Sequence, residues 1–127
     1  MIRAAREQCI ALENETASLL RAGAVPAEIY EKILSLVDPA FREGFMNGCI
    51  GTSTAMKSIG LTMDETPVLA KGFSAPLKSG MTLAVEPKIA IPGVGLIGCE
   101  NTYEITADGP AQSLTGACDT LFEVLNQ

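Results

Sequence analysis

The stretch that most constrains this chain is Met81 to Thr106, MTLAVEPKIAIPGVGLIGCENTYEIT. In its first run Met81, Leu83, Val85, Ile89 and Ile91 fall on one parity, and Thr82, Glu86 and Lys88 on the other. In the second run Ile97, Tyr103 and Ile105 alternate with Gly98, Glu100, Thr102 and Glu104. Successive side chains on a strand point to opposite faces, so two such runs around Pro92-Gly93-Val94-Gly95 predict a β-hairpin.

If the turn centres on Gly93, every residue faces its mirror image about Gly93, and Glu86 is opposite Glu100. Directly opposed side chains sit roughly 5 Å apart at Cβ, and like charges there repel. Such a pair needs a cation between the two groups, or a proton on one of them. The alternative is a looser turn and a different register, with both residues as solvated surface glutamates. Spacing alone leaves both readings open.

Length and composition bound the rest. A chain of 127 residues fits one domain, residues 1–127, and is long enough to bury a core. Hydrophobic residues at 47% argue against disorder, and with 5% aromatics and no Trp the core must be aliphatic. A net charge of −6 without a basic run argues against nucleic acid and anionic membrane as partners. Histidine is absent, which excludes His-based triads, HExxH zinc helices and His proton shuttles within this chain. Cys9, Cys49, Cys99 and Cys118 form no CxxC pair and read as buried thiols of a cytoplasmic protein. The sequence shows no signal-peptide pattern and no apolar run of membrane-spanning length.

The N-terminal segment reads as a helix. Ala5, Cys9, Leu12, Thr16 and Leu19 form one mostly apolar stripe, with Arg3, Arg6, Glu13 and Glu15 off it. Gly23 is placed to stop that helix. Pro26 suits the first turn of a second helix, with Glu28 at its positive end and Ile29, Ile33, Leu36 and Val37 on its buried side. Asp38-Pro39 predicts a third, short helix to about Phe45, with Asp38 as N-cap. A strand is expected near Thr52 to Lys57, and a loop or short extended piece from Thr62 to Leu69. Turns are expected at Lys78-Ser79-Gly80 and Ala107-Asp108-Gly109-Pro110, a short strand near Ser113 to Thr115, and a last helix from about Ala117. Helices followed by an antiparallel sheet predict an α+β domain.

Several segments together resemble a known family. FREGFM, IGLTMDETPVLAKGF, PLKSGMTLAVEPKIAIPG and GCENTYEIT, followed by DGP and LTG, are similar to the C-terminal half of the pita-bread metallopeptidases. These include prolidase, aminopeptidase P, methionine aminopeptidase and the metal-free creatinases. The resemblance is strongest to prolidase-like Xaa-Pro dipeptidases and extends over nearly the whole chain, LLRAGAVPAEIY included. It implies a curved antiparallel sheet with helices on one face. Family members hold two divalent metals such as Mn, Co or Zn with two aspartates, one histidine and two glutamates, and the metals activate a bridging water. The glutamate of the family's EP motif matches Glu86, and that of its ENT-like motif matches Glu100. The resemblance thus reaches the pair that the hairpin register also singles out.

The family pattern is incomplete here. No counterpart of its two aspartates is found. Lys57, in Met56-Lys57-Ser58-Ile59-Gly60-Leu61, stands where the resemblance implies the histidine ligand. Asp64, in Asp64-Glu65-Thr66-Pro67, replaces a histidine found in many members, although aspartate also occurs there in prolidase-like ones. An ammonium has three donors and no lone pair, so Lys57 is no metal ligand. It is suited to lie between Glu86 and Glu100 as an internal counter-ion, helped by a shared proton or by Lys88 as a second cation. The alternative leaves Lys57 in solvent and the two glutamates hydrated.

The functional expectation is a truncated prolidase-like protein without a competent dimetal site or resident cofactor, catalytically inactive (a pseudoenzyme), with a binding or assembly role. Glu65 is a candidate contact on the substrate side, for a short peptide or small molecule. The alternative is half of a metallopeptidase hydrolysing Xaa-Pro bonds, its missing aspartates supplied by another segment or chain. Because the pita-bread fold has two similar halves and this chain holds about one, a homodimer is expected to cover the open sheet edge.

Overall fold

A computed structural model of the chain describes residues 1–45, 56–58 and 65–116, with the side chains of residues 56–58 and 65–66 outside the description. Among the described residues two helices, α1 (Ile2–Leu19) and α2 (Pro26–Leu36), precede seven short strands. These are β1 (Met56–Ser58), β2 (Glu65–Val68), β3 (Thr82–Val85), β4 (Lys88–Ile91), β5 (Gly95–Gly98), β6 (Asn101–Glu104) and β7 (Gln112–Ser113). A five-stranded sheet has the order β2-β1-β3-β6-β7, and β4 and β5 form a separate two-stranded ladder. All pairings are antiparallel. The architecture is α+β, as the sequence order of helices and strands predicts.

The hairpin turn explains the register. Val94 N–H donates to the Ile91 carbonyl at 3.0 Å, closing a β-turn with Pro92 at its second position and Gly93 at its third. Gly93 has φ +77°, which a type II turn requires there and which Gly adopts without the Cβ penalty. The ladder beyond it runs Ile91↔Gly95, Ala90↔Leu96, Ile89↔Ile97 and Lys88↔Gly98. The expected single long strand from Met81 to Ile91 is nevertheless broken at Glu86-Pro87, and Pro87 has no N–H to give a ladder. Past the break the same mirror relation resumes, Val85↔Asn101 through Thr82↔Glu104.

The core lies between the hairpin region and the helices. Leu83, Val85, Ile89, Ile91, Tyr103 and Ile105 pack with Ala5, Cys9 and Leu12 of α1 and Ile29 and Ile33 of α2. α1 touches β3, β4 and β5, and α2 packs on α1. Phe45 bridges to Ile89, and Ala90 N–H donates to the Gly44 carbonyl at 2.8 Å, which ties the segment after α2 to β4. A Cβ on Gly44 would collide with the Ala90 carbonyl, so only glycine allows this approach.

Some local expectations fail for identifiable reasons. The Asp38 segment forms turns, not a helix: Asp38 Oδ1 accepts from Ala40 N–H at 2.7 Å and its carbonyl from Phe41 N–H at 2.9 Å. The same side-chain capping that starts helices also closes a simple turn. Leu36 is exposed because α2 ends there, and Val37, in extended conformation, takes the inward position. α1 ends in an extended Leu20, and Gly23, at φ +88°, shapes the following turn rather than the helix end. Glu13 is buried at 3% exposure, not off the stripe. It lies one turn after Cys9 and beside Leu12 and Thr16, and so on the core face. The short strand expected at Ser113 to Thr115 is β7, one residue earlier. The last helix, Cys49, Cys118, Asp64 and most of the strand expected near Thr52 lie outside the described residues.

Candidate functional site

Glu86 and Glu100 sit in the gap between the two ladders. On one side of the gap Val85 faces Asn101; on the other Lys88 faces Gly98. Within it Cys99 N–H donates to the Pro87 carbonyl at 3.4 Å. The mirror relation about Gly93 therefore holds across the break, and Glu86 and Glu100 occupy opposed positions. Pro-Gly turn chemistry made this register legible in the sequence.

Parity assigns the two glutamates to one face. Asn101 and Tyr103 reach α1, and Leu83, Val85, Ile89 and Ile91 of the same parity are buried. Glu86, Lys88, Glu100 and Thr102 belong to the other parity, on the face turned away from α1. Glu100 is exposed. Glu86 is half-buried, and its Oε2 lies 3.2 Å from Lys88 Nζ. Among the described residues the cation beside Glu86 is thus Lys88, two residues along the chain.

Lys57 enters through the sheet register. It pairs with Ala84 of β3 on one side and Val68 of β2 on the other, and Ala84 pairs with Thr102. Glu86 and Glu100, in the gap just beyond the end of β3 and before the start of β6, each lie two residues along the chain from this cross-strand row. The Lys57 and Glu65 side chains lie outside the described residues; the backbone of Glu65 is in edge strand β2, opposite Ser58.

Beneath the gap is a polar cluster that sequence reading missed. Glu13 Oε1 accepts from Asn101 Nδ2 at 2.6 Å and from Tyr103 Oη at 2.9 Å. Asn101 Oδ1 accepts in turn from the Thr115 hydroxyl at 3.0 Å, and Thr115 Oγ1 accepts from Thr102 N–H at 3.0 Å. Burial pushes the Cys99 thiol well above its ordinary pKa, and a hydrogen bond to Glu13 adds to that. Burial, then the Glu13 charge, pushes the Cys9 thiol up to about 11. These thiols are poor nucleophiles, since only the thiolate attacks. The i, i+4 relation of Cys9 to Glu13 was the available signal.

The chain has no histidine, and among the described residues no three His, Cys, Asp or Glu side chains are grouped to hold an ion. The ammonium of Lys88 already occupies one side of Glu86. No helix among the described residues is long and apolar enough to cross a membrane.

Comparison with known proteins gives a consistent outcome. The model of metallopeptidase family M24 matches residues 2–107. No curated protein matches the chain. Among solved structures, an X-Pro aminopeptidase from Thermotoga maritima superposes with a TM-score of 0.84 at 18% identity, over 97% of this chain and 33% of that one. An Xaa-Pro dipeptidase from Bacillus anthracis gives 0.79 at 23% identity, over 94% and 32%. The prolidase from Pyrococcus horikoshii gives 0.76 at 22%, over 89% and 31%. The chain spans about a third of the length of these structures, and its fold is that of a partial pita-bread domain.

Proposed function

This chain belongs to metallopeptidase family M24, and from that premise we propose that it is a prolidase-like protein whose dimetal site has lapsed and whose remaining role is binding or assembly. The observation that carries this reading is the chemistry of the family positions. Glu86 and Glu100 are present, but Lys57 stands where a neutral nitrogen ligand is needed, and Lys88 Nζ lies 3.2 Å from Glu86. Two glutamates alone make a weak divalent site, an ammonium beside Glu86 competes with the ion for that carboxylate, and without the ion no water is activated for attack on a peptide carbonyl. In this reading Lys57 and Lys88 are internal counter-ions and no step of hydrolysis is catalysed. We place the protein in the cytoplasm, in line with four cysteines that form no paired motif.

The assembly role is a homodimer, with a short peptide or small molecule as the second class of partner and Glu65 as its candidate contact. The sheet edges support strand addition poorly, since β2 carries Pro67 and β7 has two residues. Exposed Val94 and Leu96 at the hairpin tip, 53% and 46% accessible, support pairing through apolar surface better.

Metal analysis of protein purified from Mn-, Co- or Zn-supplemented medium tests the reading, together with an assay for Xaa-Pro dipeptide hydrolysis. The expected result is substoichiometric metal and no hydrolysis. A stoichiometric ion lost in Glu86→Gln or Glu100→Gln, with hydrolysis, overturns it and favours the half-site alternative, in which another segment or chain completes the ligand set. Light scattering at micromolar concentration tests the dimer, which a clean monomer refutes.

A further inference from the structure

We propose that Glu13 of α1 is a positioning residue for Glu100, gripping the strand beneath it so that the Glu100 side chain projects opposite Glu86. The inference deepens the reading above and rests on it for the role of Glu100.

Glu100 lies where the ladders give it least support. β5 ends at Gly98 and β6 begins at Asn101, and the bond across the gap, from Cys99 N–H to Pro87, is long at 3.4 Å. Glu13 reaches this segment from the helix side. Its buried Oε1 takes Asn101 Nδ2 at 2.6 Å and Tyr103 Oη at 2.9 Å, and the Cys99 thiol lies beside the same carboxyl. Cys99 and Asn101 are the residues on either side of Glu100. With both held from below, alternation sends Glu100 to the upper face. Asn101 is fixed at its other end as well, by the Thr115 hydroxyl at 3.0 Å, so its amide has one orientation. An apolar side chain at position 13 would fill the same space without desolvating a carboxyl. What the carboxyl adds is direction: hydrogen bonds to fixed donors set the height and rotation of the strand, which packing alone leaves freer.

The test reads Glu100 itself in the full chain. Glutamate is labelled with 13C at the side-chain carboxyl, and the Glu100 resonance is assigned by its loss in Glu100→Gln. Glu13→Ala is expected to shift or broaden that resonance beyond its line width. Glu13→Gln is expected to restore it, because one amide oxygen can accept both hydrogen bonds. Tyr103→Phe, which keeps the Asn101 link, is expected to leave it in place. If Glu13→Ala does not fold, Asn101→Ala takes its place. A Glu100 resonance unmoved in folded Glu13→Ala, or moved as far by Tyr103→Phe, overturns the proposal. Metal bound at Glu100 would instead refute the lapsed-site reading and leave this comparison standing, so the two failures are distinguishable.

Discussion

Lys88 Nζ lies 3.2 Å from Glu86 Oε2, with only Pro87 between them in the chain. Both side chains keep about a fifth of their surface exposed, 22% and 23%, so water screens part of the attraction. A double-mutant cycle with Lys88→Met and Glu86→Gln should therefore give a coupling of about 0.5–1 kcal/mol, in the range of partly exposed pairs. The value should fall in about 1 M salt, where the screening length is roughly 3 Å. A salt-independent coupling above about 3 kcal/mol would mean that the pair is dry and bound more tightly than this geometry allows.

Two glycines, Gly44 packed against β4 and Gly93 in the hairpin turn, should respond differently to alanine. At Gly44 an added Cβ meets the Ala90 carbonyl, which is backbone and cannot swing aside. Gly44→Ala should cost about 1–3 kcal/mol or more, the range for forced overpacking. At Gly93 nothing lies within 4 Å, and the penalty is conformational, from φ +77°. Gly93→Ala should cost roughly 1–2 kcal/mol. Urea midpoints of the two variants measure both, and an unchanged midpoint in Gly44→Ala would contradict the close approach of the segment to β4.

The hairpin register was legible because it depends on local chemistry. Pro92 and Gly93 specify the turn, the turn specifies the mirror relation, and Glu86 is thereby set opposite Glu100. What was not legible depends on tertiary choice. Asp38 can cap a helix or close a turn, and only the pairing of residues 44 and 45 with β4 decides for the turn. Pro87 divides one apolar run between two sheets, although its alternation continues through the break. Glu13 reads as a surface charge until Asn101 and Tyr103 are known to lie above it. An acidic residue on a core face is explained only by its partners, and those are 88 and 90 positions away.

Cys9 makes stability depend on alkaline pH. Its thiol is raised from 9.0 to about 11, first by burial and then by the charge of Glu13. The neutral thiol is favoured by the fold, so its contribution is whole below pH 9. Between pH 9 and 11 the unfolded chain ionises first and binds fewer protons, and stability falls as pH rises. Cys99 shifts in the same direction. The fall in urea midpoint from pH 8 to pH 10.5 should therefore be smaller in Cys9→Ala than in the parent. Peptide mapping after thiol labelling at pH 8 should find Cys9 and Cys99 modified only in denaturant. Rapid labelling of native Cys9 at pH 8 would contradict its burial.

The last prediction concerns Lys57, whose backbone shares a cross-strand row with Ala84 and Thr102, each two residues along the chain from one of the glutamates. If its ammonium lies between Glu86 and Glu100, Lys57→Met leaves the two carboxylates facing each other and should cost about 1 kcal/mol, the upper end for pairs that water reaches, because Glu100 is exposed and Lys88 stays beside Glu86. Adding Glu86→Gln and Glu100→Gln should recover most of that loss, because the repulsion disappears with the charges. An ammonium in water predicts a change within about 0.5 kcal/mol and no recovery. Urea denaturation of the single and triple variants decides between the two. On the lapsed-site reading Lys57→His should not create Xaa-Pro cleavage, because that reading has no counterpart of the family's two aspartates to complete the ligand set. Hydrolysis gained in Lys57→His alone would show that this chain needs only one ligand to be an enzyme, and the lapsed-site reading would fail with it.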